Sequence, residues 1–260
     1  MLGRLLFACT TMLCLLVSNV SVAKPSIVII LDDLGYKPSD LNALSLPSEI
    51  TFSILPETPL AKTIAEKAER QGRAVMLHMP MQAESGETMG PLGLTTDMYP
   101  AAITHTLRKA IKSIPNVVGV NNHMGSAFTG QEASMTALMQ EIKRQGLFFI
   151  DSRTSVYTTA QQVAQQVGVP NASRHVFLDH VRTTPFIAAQ FERMKRIAQR
   201  EGSVVVIAHP HQVTLNFLQQ HLPLLQDEGF TLTSASDYLM EKVTPVPDNL
   251  PDMAIAAPNE

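Results

Sequence analysis

Short apolar segments alternate with amphipathic segments along most of this 260-residue chain, and this alternation is the feature that most restricts its fold. The apolar segments are continuous rather than alternating in polarity, which is typical of strands buried on both faces of a parallel sheet. We predict strands at 27–31, 50–55, 74–79, 117–122, 147–151, 175–178, 204–208 and 230–233.

The amphipathic segments between these strands predict helices. Several of them end at a glycine just before the next strand, as at Gly72, Gly146 and Gly202, and Thr184-Pro185 is a typical helix start. Repeated strand-helix units predict one α/β domain. The predicted helices are 60–71, 103–113, 132–145, 158–167, 185–200 and 215–227.

The number of units bears on how the sheet is arranged. Seven or eight units in a chain of this length favour a (β/α) barrel, and an open doubly wound parallel sheet is the alternative. The segment 84–100, rich in Gly, Thr and Met, is the longest stretch without periodicity, and we expect it to lie over the functional site.

The N-terminal segment has the pattern of a secretory signal. Arg4 precedes an apolar stretch at 5–17, and small residues at 21–23 predict cleavage after Ala23, although an uncleaved anchor is the alternative. Both cysteines, Cys9 and Cys14, fall in this segment, so the mature chain has neither a disulfide nor a thiol nucleophile. We therefore expect a periplasmic or secreted protein with no membrane span in the mature chain.

These boundaries give a signal peptide at 1–23, a single domain at 24–242 and a proline-rich tail at 243–260, which we expect to be disordered. The chain carries 20 Lys plus Arg against 23 Asp plus Glu, a net charge of −3. This balance argues against a nucleic-acid partner.

Ionisable residues follow nearly every predicted strand. Five of the eight histidines lie at such positions, and the carboxyl ends of parallel strands meet at one edge of a sheet or one mouth of a barrel. We therefore expect one site there. The residues at strand ends are Asp32, Asp33, His78, His123, Asp151, Arg153, Asp179, His180, His209 and His211.

Two adjacent carboxylates with histidines nearby indicate a metal site with one carboxylate left for proton transfer. Side chains alternate along a strand, so Asp32 and Asp33 cannot point the same way unless the chain turns there. Copper, which the nearby methionines would suit, is the less favoured metal because carboxylates favour zinc.

Three segments carry a resemblance to a known family. The segments 29–35 (IILDDLG), 71–78 (QGRAVMLH) and 206–209 (VIAH) are similar to motifs of the metal-dependent polysaccharide deacetylases, and 25–238 as a whole resembles the divergent polysaccharide deacetylase family. The resemblance implies a distorted (β/α) barrel that hydrolyses acetyl groups on a sugar polymer. It also implies that Asp32 is the catalytic base, Asp33 and His78 are metal ligands, and His209 is the general acid.

The chain departs from the ordinary deacetylase pattern at two places. Gln82 stands where the second ligand histidine is expected, and 121–126 (NNHMGS) replaces the Arg-x-Pro-Tyr motif. Catalytic zinc usually has three protein ligands and a water, so we predict Asp33, His78 and His123 as the ligands of Zn²⁺ or another divalent metal.

Further residues are expected around this centre. Asp151 and Arg153 are predicted to orient His209 or Asp32, with a simple ion pair at the strand end as the alternative. His211 is predicted to assist His209 or bind substrate, and Gln82 to support the site or contact substrate.

Two hypotheses for function follow. In the first, the protein is a zinc-dependent deacetylase of an acetylated polysaccharide or peptidoglycan-like polymer in the cell envelope. In the second, it is a catalytically weak or inactive relative that binds glycan or assists envelope assembly, as the departures at Gln82 and 121–126 allow. A metal phosphoesterase would need a second metal and more ligands than the sequence offers.

Overall fold

The structure is a computed structural model that describes residues 24–243. The predicted signal at 1–23 lies outside the described residues, and so does the predicted tail, apart from Val243 at the end of the last helix.

The described residues form one nine-stranded sheet in which every strand pair is parallel. Along the sheet the order is β6-β5-β4-β3-β2-β1-β8-β7, and β9 pairs with the start of β1. The strands are β1 (Ser26–Leu34), β2 (Thr51–Ile54), β3 (Val75–Met81), β4 (Val117–Met124), β5 (Phe148–Asp151), β6 (Asn171–Ser173), β7 (Val176–Phe177), β8 (Ser203–Ala208) and β9 (Thr231–Thr233).

Helices follow most strands and pack on the outside of the sheet, as the strand-helix alternation predicts. Gly202 ends the longest helix with φ at 76°, a conformation that glycine adopts without strain. The helices are α1 (Ala61–Arg70), α2 (Pro100–Ser113), α3 (Glu132–Arg144), α4 (Ala160–Val167), α5 (Thr184–Glu201), α6 (Gln212–His221) and α7 (Ala235–Val243), with a 3-10 helix at Pro38–Ser45.

One chain segment closes the sheet into a distorted barrel. The strand predicted at 175–178 is present as β7, which pairs with β8, and a further strand that was not predicted, β6, precedes it and pairs with β5. Between them, the Arg174 amide donates to the Asp151 carbonyl and the His175 amide donates to the Val205 carbonyl. The segment thus crosses from one end of the sheet to the other, which confirms the barrel and rules out the open doubly wound sheet.

Two other features differ from the sequence predictions. The helix predicted at 215–227 begins earlier, at Gln212, and also ends earlier, at His221, and a 3-10 turn follows it at Leu222–Leu224. Helix α7 was not predicted, and it packs against the start of the barrel: the Ala235 amide donates to Thr51 Oγ1, and the Tyr238 hydroxyl lies 3.1 Å from Ser203 Oγ. Thr51 and Ser203 begin β2 and β8, so α7 covers the amino end of the barrel.

The barrel interior is apolar at this amino end. Alternate residues of the strands face inward and form a buried cluster with α7 that includes Val28, Ile30, Met76, Ile150 and Ile207. The next inward positions are polar: Asp32 on β1, His78 on β3 and His209 just after β8. These three residues lie at the carboxyl end of the barrel. Within residues 24–243, no helix is both long and apolar enough to span a bilayer.

Candidate metal centre

A bulge in β1 brings two adjacent carboxylates to the same centre. Leu31 pairs with Phe52 and Leu34 with Ile54, so two residues of β1 lie opposite one residue of β2. Asp33 takes the left-handed conformation there, with φ at 61°, which aspartate tolerates better than most residues. This is the turn that a pair of inward-pointing aspartates requires.

Strands β3 and β4 supply the histidines. His78 pairs in register with Asn121, and His123 lies two residues further along β4, on the same face as Asn121. The His78 Nδ1 donates to Asn121 Oδ1 at 2.8 Å, which directs the other ring nitrogen, Nε2, toward Asp33. Asn121 therefore determines which ring nitrogen of His78 is available as a ligand.

Three candidate ligand atoms converge at short distances. Asp33 Oδ1 lies 3.1 Å from His78 Nε2 and 2.8 Å from His123 Nδ1, and the two ring nitrogens are 3.2 Å apart. Asp33 Oδ1 is buried, yet within residues 24–243 it has no hydrogen-bond partner, because the two rings are not oriented to donate to it. Buried carboxylate oxygens rarely stay unbonded, so this atom fits a metal ligand, and the Asp/His/His donor set suits zinc.

The electrostatics of this centre favour a cation. Burial raises the pKa of Asp33, but contacts with His123 and His78 outweigh it and hold the pKa far below its usual range. Burial lowers the pKa of His78, but the negative charges of Asp32 and Asp33 outweigh this effect and raise the pKa to about 9. A proton and a metal ion respond to the same negative potential, so these shifts mark a place where positive charge is stabilised.

Asp32 is held apart from the ligand atoms. Its Oδ1 accepts a hydrogen bond of 2.8 Å from Asn121 Nδ2, while its Oδ2 lies 3.7 Å from His78 Nε2. Burial raises the pKa of Asp32, and the histidine charges only partly oppose this. Asn121 is itself fixed by Ser53, whose hydroxyl donates to Asn121 Oδ1 at 2.6 Å. Asp32 is therefore a buried carboxylate with one oxygen left for proton transfer.

A second group of ionisable residues stands beside the first. His209 Nδ1 lies 2.9 Å from Asp179 Oδ1, and Asp179 Oδ2 accepts hydrogen bonds from the His209 amide and from Thr214 Oγ1. His209 Nε2 faces the centre, 3.8 Å from Asp33 Oδ2. Burial lowers the pKa of His209, but the bond and charge of Asp179 outweigh it and raise the pKa.

The structure corrects the roles expected of Asp151 and Arg153. Asp151 Oδ1 accepts from the Arg153 amide and Oδ2 from Thr158 Oγ1, so this carboxylate stabilises its own loop. Its neighbour Ile150 faces the barrel interior, hence Asp151 points to the opposite face. In the part of the chain that the structure describes, Asp179 rather than Asp151 orients His209.

Gln82 and His211 lie near the centre without belonging to the group formed by Asp33, His78 and His123. Gln82 Oε1 accepts from the amide and hydroxyl of Thr96 at 2.8 and 3.1 Å, which ties the segment 84–99 to the end of β3. Gln82 thus anchors a loop. His211 stacks on His209, with ring centroids 5.8 Å apart, and lines the cleft.

A cleft of about 580 Å³ lies over the two groups. Thr88, Met89 and Gly90 form part of its wall, which confirms that the long unpatterned segment lies over the site. Its other walls come from Asp33, Tyr36, Lys37, Ser39, Asp40, Leu55, His123, Arg182, His209, Pro210, His211 and Gln212.

Two residues that are central to this geometry, Asn121 and Asp179, were not predicted from the sequence to have a role here. Asn121 was noted only as part of the segment replacing Arg-x-Pro-Tyr, although its place in register beside His78 signals a contact. Asp179 was among the strand-end residues, but no role was assigned to it. Its signal was weak because the partner residue, His209, is distant in sequence.

Comparison with known proteins places this geometry in context. The family model described as "divergent polysaccharide deacetylase" matches residues 29–239. A protein of Escherichia coli (strain K12) named "Uncharacterized protein YibQ" is 37% identical over 243 residues, which are 92% of this chain and 76% of that protein.

Solved structures share the fold. An uncharacterized protein, ATU2773, from Agrobacterium tumefaciens C58 matches with a TM-score of 0.80 and 21% identity over 84% of this chain and 90% of that one. The catalytic domain of a peptidoglycan N-acetylglucosamine deacetylase from Eubacterium rectale ATCC 33656 matches at 0.52 and 16%, over 83% and 90%. A mutant of BA3943, a CE4 family pseudoenzyme from Bacillus anthracis, with restored enzymatic activity, matches at 0.51 and 14%, over 83% and 68%.

Proposed function

The chain belongs to the divergent polysaccharide deacetylase family, and we propose that it is a zinc-dependent hydrolase that removes acetyl groups from a cell-envelope glycan. The observation that carries this proposal is the buried, unbonded Asp33 Oδ1 beside two histidine nitrogens, with a free carboxylate oxygen of Asp32 and the Nε2 of His209 close to it.

Asp33, His78 and His123 would hold the metal ion. When bound, such an ion lowers the pKa of a coordinated water toward ~7 and polarises a carbonyl oxygen. The hydrogen bond from His78 Nδ1 to Asn121 keeps the opposite nitrogen of that ring directed toward the centre.

Asp32 acts as the general base of the proposed reaction. Its Oδ1 is occupied by Asn121, so its Oδ2 accepts the proton of the attacking water. Burial raises the pKa of Asp32, which makes the carboxylate a stronger base than an exposed aspartate.

His209 acts as the general acid. Asp179 stabilises the protonated ring through Nδ1, which leaves the proton on Nε2 for the departing amine or alcohol of the sugar. A backbone N–H near Met124 and Gly125 is proposed to bind the developing negative charge of the acetyl oxygen.

The test combines metal content with product release. We expect the purified protein to contain about one zinc ion per chain and to release acetate from acetylated chitooligosaccharides or peptidoglycan fragments. Asp32→Asn should retain the metal and lose at least about 10²-fold in kcat, because it removes the base. Asp227→Asn, the same change at an exposed position, is the matched control.

The alternative is a protein that binds glycan without turnover. Gln82 supports it, because the residue that replaces the expected ligand histidine anchors a loop instead. Stoichiometric zinc and measurable binding of acetylated oligosaccharides, with no acetate released from any of them, would favour this alternative. Unchanged turnover in Asp32→Asn would reject Asp32 as the base.

An extracytoplasmic location is also part of the proposal. It rests on Arg4, the apolar stretch at 5–17 and the small residues at 21–23. Sequencing the N-terminus of the protein recovered from a periplasmic fraction should identify Lys24 as the first residue, whereas recovery of an intact N-terminus in the membrane fraction would indicate an anchor.

A further inference from the structure

Two basic side chains line the cleft over the metal centre, and they are separate from the catalytic groups. Lys37 follows β1 and Arg182 precedes α5, and both are exposed. Within residues 24–243, neither side chain forms an ion pair with an acidic residue, whereas Lys62, Lys109, Arg108 and Lys195 do.

The acidic residues of the same cleft are already engaged. Asp40 is buried, and its Oδ2 accepts hydrogen bonds from the Gly35 and Lys37 amides at 3.0 and 2.9 Å. Asp33 belongs to the metal centre. Two acidic residues of the covering loop, Glu84 and Glu87, do not form part of the cleft wall. The two cations are therefore free to pair with charge on a bound molecule.

The surroundings of Arg182 add to the positive charge. Arg182 and His211 line the same cleft. Helix α6 begins at Gln212 in the same wall, and its first turn carries no acidic residue. The positive end of a helix favours anions nearby.

The cleft wall holds two cations, Lys37 and Arg182, beside Asp33 of the metal centre and Asp40, which is bonded to two backbone amides. A neutral sugar polymer gains little from two unpaired cations, whereas a carboxylate or phosphate forms charge-assisted hydrogen bonds with both lysine and arginine.

We propose that the glycan bound by this cleft is acidic, with a carboxylate or phosphate on or next to the acetylated sugar that pairs with Lys37 and Arg182. The proposal rests on the proposed function for the position of the acetyl group, but the binding of an anionic glycan is measurable without turnover.

The experiment compares three oligosaccharides of equal length by calorimetry. One contains only N-acetylglucosamine, one carries carboxylates on alternate sugars, and one carries phosphate monoesters at the same sugars. We expect the wild-type protein, or Asp32→Asn if the substrate is hydrolysed, to bind one of the acidic oligosaccharides about tenfold more tightly than the neutral one. The charge that gives the tighter binding identifies the natural group.

Charge removal tests the residues themselves. The double variant Lys37→Gln with Arg182→Gln should lose the tenfold preference, and the preference should also shrink as salt is raised. Lys37→Arg with Arg182→Lys should restore it, which separates charge from folding. Lys67→Gln with Arg70→Gln, two exposed cations at the end of α1, is the matched control and should keep the preference.

The outcomes for the two proposals are distinct. Equal affinity for neutral and acidic oligosaccharides, or a preference that survives in the Lys37→Gln, Arg182→Gln variant, would overturn the acidic-glycan proposal even if acetate is released. An acidic preference that disappears in this variant would support it even if no acetate is released from any substrate, a result that would count against the proposed hydrolase.

Discussion

Two groups of one aspartate and two histidines lie side by side at the mouth of the barrel, and they differ in how the aspartate is used. In the first group, Asp33 Oδ1 is buried between two ring nitrogens and has no hydrogen-bond partner among the residues that the structure describes. In the second, Asp179 Oδ1 pairs with His209 Nδ1, and Oδ2 accepts two further hydrogen bonds. The same residue types therefore suit a metal site in one group and proton transfer in the other.

Whether the carboxylate oxygens already accept hydrogen bonds therefore separates the two roles better than residue type or spacing does. A carboxylate whose lone pairs are saturated by N–H and O–H donors has little left for a metal ion, whereas an unsaturated buried oxygen needs a cation. Substitutions in both groups, and at a third buried carboxylate, test this contrast.

The largest effect is expected for Asp33→Asn. Asparagine tolerates the left-handed conformation at this position, so the variant should fold but lose the charged ligand. We expect zinc below one tenth of an ion per chain by mass spectrometry, and kcat/KM for acetate release reduced by roughly 10³-fold or more.

The matched control for this change is His211→Gln in the second group. The His211 ring stacks on His209 and does not belong to the Asp33, His78 and His123 group, so its loss should leave the zinc content unchanged. If Asp33→Asn kept a full zinc ion, or if His211→Gln released it, the assignment of the two groups would be reversed.

Asp179→Asn should give the next largest effect. The amide cannot stabilise protonated His209 as a carboxylate does, so kcat should fall roughly 10³-fold while the zinc content stays at one ion per chain. The zinc content and the acetate-release rate of one preparation provide the two measurements. Simultaneous loss of zinc would show that the second group also contributes to metal binding.

A smaller effect is expected for Asn121→Ala, which removes the hydrogen bond that orients His78. Residues that orient metal ligands typically contribute 10–100-fold to metal affinity, so the zinc dissociation constant, measured by competition with a chelator, should rise by about that factor. Ser53→Ala removes only the hydroxyl behind Asn121, and its effect should be smaller. Equal zinc affinity in Asn121→Ala and wild type would contradict this role.

The smallest effect concerns Glu141, a buried carboxylate that pairs with arginines instead of histidines. Burial raises the pKa of Glu141, but bonds from Arg108, Gln145 and Arg144 outweigh it and lower the pKa to about 2. A lowered pKa gives stability that is present above the ordinary value near 4.5 and lost as the pH falls toward 2.

Glu141→Gln should therefore remove part of this pH dependence. Both arginines are half exposed, so we expect a difference on the order of 1 kcal/mol in how far the free energy of unfolding falls between pH 5 and pH 2.5, with wild type losing more. Urea unfolding at the two pH values measures this. Parallel losses in both proteins would show that the ion pair contributes no net stability.

The sequence predicted most of the barrel because its strands are buried and continuous. Strands such as 117–122 and 204–208 were found within two residues of their observed ends, as at β4 (Val117–Met124) and β8 (Ser203–Ala208). Strand β6 was not foreseen, since its three residues are too few to show a pattern, whereas β7 lies within the strand predicted at 175–178. Helix α7 was missed because it follows β9 closely and its apolar face is short.

The candidate ligands Asp33, His78 and His123 converge in space, as the strand-end pattern indicated. Asp151 does not reach His209, because the strand alternation that places Ile150 in the barrel turns Asp151 away from it. The register of β5 with its neighbours determines which of its residues face the interior. The composition of this four-residue strand alone does not reveal that register.

The amino-acid sequence alone established a parallel α/β domain with its ionisable residues at the carboxyl ends of the strands, because burial requires continuous apolar segments and leaves polar residues only where strands end. Closure of the sheet into a barrel was one of two arrangements that it left open. Only the tertiary structure decided how those residues divide into two groups. The bulge at Asp32 and Asp33, the register that places Asn121 beside His78, and the pairing of Asp179 with His209 all depend on contacts between strands that are distant in sequence.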